Sequence, residues 1–324
     1  MRRIINNANL HTDEIEILLA SEREDSRQAD FFSLQEKIER FRLLWPEVRE
    51  KCRELGISSE DAILVTFWRL WLTVAIELRD SPKPFVQGIL APQGTGKTTL
   101  TVILRLILQS FGVRAIGLSI DDLYKTYSER LQLREADPRL RWRGPPGTHD
   151  IESGIETLDR FRNRERSIAI PRFNKASHGG QGDRIDPEIV GDIDIILFEG
   201  WFLGVRPVGE EIFDSPPDPI VTAEDRAFAR DCNRRLRDYI PLWERIDRLL
   251  ILYPLDYRWS LQWRKTAEPA GGMRYTEIEE FVKYFWKSLH PEIFLPPMLD
   301  RADRVVKINR DRSIGAIKSR IIDV

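Results

Sequence analysis

The rhythm of apolar positions along this chain changes near residue 81. Before that point the pattern is helical. Phe41, Leu44 and Trp45 mark the end of one helix, which Pro46 is expected to break or bend. Ser58-Ser59-Glu60-Asp61 offers a helix start of the capping-box kind, followed by an apolar run ending near Leu78. The most apolar stretch, Ile63–Ile76, is interrupted by Arg69 and is too short to span a bilayer, so it predicts a buried helix.

Ser81-Pro82-Lys83-Pro84 breaks that pattern, and short apolar runs then alternate with helical ones. Phe85–Leu90 and Arg114–Ile120 predict strands, with a helix over Thr98–Ser110 between them. Ile168–Phe173 is a short, partly apolar segment. Ile195–Phe198 is a continuous apolar run of the kind a buried parallel strand requires, and Leu249–Tyr253 and Val305–Ile308 add two more strands. Strands alternating with helices predict an α/β fold with a mostly parallel sheet flanked by helices. The Pro-rich, acidic stretch Val205–Thr222 predicts a surface loop. The expected organisation is a helical layer over residues 1–80 and a second domain over residues 81–324.

Composition narrows the choices. A chain of 324 residues with 42% hydrophobic content can bury a large core. Its 50 Lys+Arg against 52 Asp+Glu leave a net charge of −2, which gives no electrostatic case for nucleic acid as a partner. Two cysteines far apart in sequence, Cys52 and Cys232, form neither a disulfide framework nor a zinc spacing. Residues 1–20 lack the apolar stretch of a signal peptide, so a reduced, cytoplasmic setting without a membrane partner is expected.

Chemistry enters at Ala91-Pro92-Gln93-Gly94-Thr95-Gly96-Lys97-Thr98, which follows a predicted strand and opens a predicted helix. In that context a Gly-x-Gly-Lys-Thr loop points successive backbone N–H groups at phosphate oxygens. The helix N-terminus adds its partial positive charge. Lys97 would reach the β- and γ-phosphates, and the Thr98 hydroxyl would ligate Mg²⁺. Ala91 stands where the strict pattern has glycine, and its methyl is tolerable only at negative φ.

Two acidic positions follow. Glu199 ends the run Asp192–Gly200, where α/β folds hold their ligands, so it can serve Mg²⁺ or simply begin a helix. Asp121 and Asp122 end the second strand, where a carboxylate could orient an acceptor hydroxyl or cap the next helix. Arg141–Asp150, Pro171–Lys175 and Gly179–Arg184 set Arg and Lys beside Gly-rich backbone, which suits an anionic substrate. Tyr257–Lys265 interleaves cations with aromatics and reads either as a weak nucleic-acid signal or as a lid helix carrying Arg to a transferring phosphoryl group.

These boxes, taken in order, resemble D-glycerate 3-kinase of the plant and cyanobacterial type. They are Ala91–Thr99, Ser119–Tyr124, Arg143–Asp150, Pro171–Arg184, Leu197–Gly204 and Tyr257–Gln262, and the similarity extends from about Phe85 to Ile308. Ala91 belongs to that family pattern. The resemblance implies a P-loop fold with an N-terminal helical extension and a helical lid over about residues 256–282. It implies γ-phosphate transfer from ATP, with Mg²⁺, to the 3-hydroxyl of D-glycerate, a step of photorespiration in photosynthetic organisms. The wider relatives are phosphoribulokinase, uridine kinase and pantothenate kinase. By the same resemblance Lys97, Asp121 and Arg258 are catalytic. ATP is held by Gln93, Gly94, Thr95, Gly96, Lys97, Thr98 and Thr99, with Arg264. Thr98 and Glu199 serve the metal. Asp122, Tyr124, Arg143, His149, Asp150, Arg172, Lys175 and Arg184 face the acceptor.

Overall fold

The computed structural model describes residues 1–5, 16, 31–267 and 273–320. Among the described residues there are eight strands: β1 (Phe85–Leu90), β2 (Ala115–Ser119), β3 (Ile168–Asn174), β4 (Asp183–Val190), β5 (Ile195–Gly200), β6 (Arg248–Pro254), β7 (Arg304–Ile308) and β8 (Ile314–Ser319). Six of them form one sheet in the order β2-β5-β1-β6-β7-β8. All neighbours are parallel except β7 and β8. The chain therefore has the mostly parallel α/β fold that its apolar rhythm predicts.

Every residue of β1 and β5 is buried. Val86, Leu90, Ile196 and Phe198 face one hydrophobic cluster, while Phe85, Ile89, Ile195 and Leu197 face the other. That alternation is what a strand covered on both faces requires, and it explains why Ile195–Phe198 of β5 reads as an unbroken apolar run.

The second cluster joins the N-terminal helices to the sheet. Phe41, Val48, Phe67, Trp68 and Leu72 share it with Leu100, Ile103, Leu104 and Ile107 of the helix Lys97–Ser110. Each such side chain, fully buried, contributes about 2 kcal/mol, so these helices are part of the core that backs the phosphate-loop helix. Arg69, the polar interruption of the apolar run, donates to the Gly315 carbonyl on β8.

Three details depart from the expected pattern. Pro46 does not end its helix, which continues from Phe31 to Glu54. The proline sits on the exposed side, while Phe41, Leu44, Trp45 and Val48 bury the opposite face, and that burial outweighs the lost N–H. The segment beginning at Ile168 does not join the main sheet. It pairs antiparallel with β4 as a separate hairpin, and β4 is mostly exposed. The stretch Val205–Thr222 is not wholly a surface loop, because Val205, Phe213 and Ile220 are buried and anchor it to the first cluster.

Candidate active site

The strand order builds the site. β1, β5 and β2 are neighbours, with Leu90 opposite Gly200 and Ser119 opposite Glu199. The phosphate loop, Glu199 and Asp121 thus emerge together at the carboxyl ends of three adjacent parallel strands, the crevice where open α/β sheets hold ligands.

The loop between β1 and the helix Lys97–Ser110 is wound tightly. Gly94 and Gly96 are left-handed, at φ 81° and 94°. Gly94 has a second constraint, since a Cβ there would meet Cβ of Trp263 at 2.6 Å. The Thr95 hydroxyl donates to the Pro92 carbonyl at 2.7 Å and closes the loop on itself. Ala91 is fully buried, keeps a negative φ and donates its N–H to the Gly200 carbonyl at 3.1 Å. Its methyl is accommodated for that reason. Gln93 and Thr99 are half-buried, and Thr98 is exposed at the start of the helix.

Lys97 Nζ lies 3.9 Å from Glu199 Oε2. That oxygen is buried and has no hydrogen-bond partner among the described residues. Burial raises the Glu199 carboxyl pKa, and Lys97 pulls it back. A buried, unsatisfied acceptor beside a lysine, across from a helix that begins with Lys97 and Thr98, fits a hydrated Mg²⁺ carried by a nucleotide. Such an ion keeps several waters and needs few protein ligands. Among the described residues no group of three His, Cys, Asp or Glu could hold a metal by itself.

Asp121 has two side-chain partners in the crevice. Lys175 Nζ reaches its Oδ2 at 2.6 Å, and the Tyr124 hydroxyl donates to Oδ1 at 2.9 Å. Burial alone would raise its pKa, but Lys175, Lys97 and Tyr124 together hold it at about 2. Asp121 is therefore an ionised acceptor of hydrogen bonds and a weak base. Asp122, one residue on, accepts the Ser119 N–H at 2.9 Å in a capping box, with Arg172 at 3.2 Å.

The structure separates the remaining acceptor-side residues into groups. Arg184 binds Asp150 at 2.7 Å and the Tyr124 carbonyl at 2.8 Å, and Asp150 also caps the helix Ile151–Arg162. Arg172 is shared between Asp122 and Glu188. These side chains tie β3 and β4 to the loop after β2. Arg143 donates to the Gly180 carbonyl at 2.7 Å and lies over the rings of Tyr124 and Phe173.

His149 is buried and stacked on Tyr124. Its Nδ1 is 2.7 Å from the Tyr239 hydroxyl oxygen, which accepts the Gly147 N–H at 2.9 Å. Nε2 is buried without a partner among the described residues, and burial lowers the imidazole pKa to about 3.

The two arginines expected on a lid are divided. Arg258 is exposed, contacts Tyr257 and pairs with Asp256 at 3.3 Å and Glu292 at 3.7 Å, so the structure does not bring it to Lys97 or Asp121. Arg264 lines a cavity with Arg143. The helix that carries it, Trp259–Ala267, packs on the phosphate loop through Trp263. The contacts made by Trp263, Tyr239 and Thr95 have no local signature in sequence. Trp263 shows a packed face only because Trp259 lies four residues earlier.

No family model matches the chain. The sequence is 32% identical over 259 residues to the chloroplastic D-glycerate 3-kinase of Arabidopsis thaliana, covering 74% of this chain and 55% of that protein. The chain thus spans about half the length of the plant relative. It is 29% identical over 259 residues to a "Probable ATP-dependent kinase" of Saccharomyces cerevisiae, covering 72% of this chain and 87% of the relative. The solved D-glycerate 3-kinase of Cryptococcus neoformans matches with a TM-score of 0.66 at 25% identity, over 81% of this chain and 100% of that one. The chain thus resembles D-glycerate 3-kinases in sequence and fold, with the phosphate loop of a P-loop kinase. In such a P-loop kinase the loop before the helix Lys97–Ser110 is the place for ATP, and the described residues include no helix long and apolar enough to cross a membrane.

Proposed function

We propose that the protein transfers the γ-phosphate of ATP to the 3-hydroxyl of D-glycerate, giving 3-phosphoglycerate and ADP. One observation carries the reading: Lys97, Glu199, Asp121 and Lys175 come from four separate segments and converge at the open end of the sheet. The likeness to two D-glycerate 3-kinases supports the choice of acceptor.

In this mechanism the backbone N–H groups of Gly94–Thr98 and the Lys97 ammonium hold the β- and γ-phosphates. Thr98 and Glu199 would hold Mg²⁺, which, when bound, would neutralise phosphate charge. Asp121 accepts a hydrogen bond from the acceptor hydroxyl and aims its oxygen at phosphorus. With a pKa near 2 its task is orientation rather than early deprotonation. That suffices, because in a loose phosphoryl-transfer transition state little proton transfer is needed before the bond to the leaving oxygen breaks. Lys175 exchanges part of its bond to Asp121 for the acceptor's carboxylate, Arg143 supplies a further donor, and the unpartnered Nε2 of His149 offers another polar contact. Arg258 reaches the transferring group only if the chain leading into the helix Trp259–Ala267 moves, so a closing lid involves that helix; of the expected lid, residues 268–272 lie outside the described residues.

The test is a coupled ADP-release assay with and without D-glycerate, followed by a panel of small alcohols including pantothenate and nucleosides. Glycerate-dependent release supports the proposal. Release with another acceptor and none with glycerate replaces the acceptor and keeps the reaction. ATP binding without release in any mixture, together with an indifferent Asp121→Asn variant, makes the chain an ATP-binding regulatory protein.

A further inference from the structure

A cavity of about 40 Å³ lies between the phosphate loop and the helix Tyr275–Ser288. One water needs ~15 Å³ of such space, so there is room for one small ring. Pro92 and Gln93 line it from the phosphate loop, and Trp201 from the chain after β5. Ser260 lines it from the helix Trp259–Ala267, and Val282 and Phe285 from the helix Tyr275–Ser288. Lys97, Asp121, Glu199 and Lys175 lie outside its lining. Separate parts of the fold thus meet around a space that the proposed transfer does not use.

The walls are aromatic: Trp201, Phe202, Phe285, Trp286 and Phe294 all line the space. The Trp201 ring is gripped edge to face by Phe202 and by Phe285, each with ring centroids 4.9 Å apart. Its indole nitrogen is buried and has no hydrogen-bond partner among the described residues. A buried indole N–H normally finds an acceptor, and leaving it bare costs stability. The two ring contacts fix the indole, so the N–H does not turn out to solvent. A trapped water is a poor remedy, because it needs about two to four polar partners and aromatic walls offer few. A neutral aromatic molecule with one acceptor satisfies both features. Its ring packs on the walls, and its acceptor takes the N–H. A glycerate-like acid does not fit, since aromatic walls would strip its carboxylate of water.

We propose that this cavity binds a small, neutral, planar molecule of one aromatic ring whose single hydrogen-bond acceptor takes the Trp201 N–H. Trp201 stands two residues after Glu199, and Gln93 directly precedes Gly94. The helix that supplies Ser260 also presses Trp263 on Gly94. The site therefore abuts the nucleotide's loop without sharing the groups that hold phosphate. The inference does not rest on which acceptor is phosphorylated, since it is read from binding and not from turnover.

The experiment follows the assigned indole N–H signal of Trp201 by NMR, in the isotope-labelled full chain with saturating MgADP, during titration with acetophenone. Ethylbenzene, which has the same ring and no acceptor, is the comparison. The expected result is a saturable downfield shift of that signal with acetophenone while MgADP stays bound, and a clearly smaller shift with ethylbenzene. Trp201→Phe keeps a ring and loses the donor. Acetophenone affinity, read from backbone signals, is expected to fall about fivefold in that variant, as for the loss of one hydrogen bond. Val282→Phe fills the space and abolishes the saturable shift. It leaves Trp201 in place, so the test stands even where the Trp201 variant does not fold. Absence of a saturable shift at millimolar acetophenone overturns the proposal. So does an equal indole shift with ethylbenzene, release of MgADP, unchanged affinity in Trp201→Phe, or persistence of the shift in Val282→Phe.

Discussion

The two sides of the crevice are built by different means. The phosphate side is one contiguous turn between β1 and its helix, made of backbone, small residues and one lysine, and backed by fully buried Ile103, Leu104 and Ile107. The acceptor side is assembled from the loop after β2, the Arg143–Asp150 segment and the hairpin β3–β4, and it is held by ion pairs: Lys175–Asp121, Arg172–Asp122 and Arg184–Asp150. Rigid backbone suits a ligand part common to all nucleotides, whereas a lattice of charged side chains can be re-cut for a particular acceptor. Binding of nucleotide and handling of acceptor should therefore be separable by mutation.

The widest separation is expected at Asp121. Asp121→Asn should lower kcat by about 10²-fold or more while nucleotide affinity, measured by calorimetry, stays within about twofold. A parallel loss of both would mean the two sides are not independent.

Next comes acidity. His149 has a folded pKa near 3 against about 6.5 when unfolded, so between these values the unfolded chain binds the extra proton. Stability is thus full above about pH 6.5 and falls as pH drops through that window, by about 2 kcal/mol between pH 7 and 5. Denaturant melts of His149→Gln should show a shallower slope over the same range. Some slope remains, because burial lowers the pKa of His290 as well. An unchanged slope would show that His149 is not the buried neutral group described.

The phosphate side should fail in the opposite sense to Asp121. Gly94→Ala places a methyl on Trp263 and forces a left-handed alanine, a strain of about 1–2 kcal/mol. KM for ATP should rise about tenfold, with kcat at saturating nucleotide within about threefold. A fall confined to kcat would contradict the division.

The smallest effect is expected at Arg184→Ala, which removes a half-buried pair to Asp150. A loss of about 1 kcal/mol in stability is expected, together with a raised KM for the acceptor and an unchanged KM for ATP. A change in the ATP constant alone would assign Arg184 to the other side.

This division also explains what could be read from sequence. The sheet was legible because β1, β5 and β6 are buried on both faces and leave mostly apolar segments, unbroken over Ile195–Phe198 and Leu249–Tyr253. The phosphate loop was legible because its parts are adjacent in the chain. The hairpin was not, since β4 alternates charged residues with exposed Ile185 and Ile189 and carries Pro187, so no apolar run marks it. Pro46 misled because local propensity says nothing of the apolar face that carries a helix past it. On the acceptor side the residue types were visible, but the pairing of Arg184 with Asp150, the Tyr239 hydroxyl beneath His149 and the orphaned Glu199 oxygen are contacts across long sequence separations. No local pattern encodes them.

The contact between Gly94 and Trp263 has a consequence for how such a chain can change over generations. The space that a side chain at 94 would need is the space that the indole-bearing residue fills, and that indole is fastened to the Arg310 carbonyl at 2.9 Å. A mutation at one position is judged by what already stands at the other. Removing the tryptophan would not by itself free residue 94, whose left-handed φ still favours glycine. The two sites, distant in the gene, are inherited as a single decision.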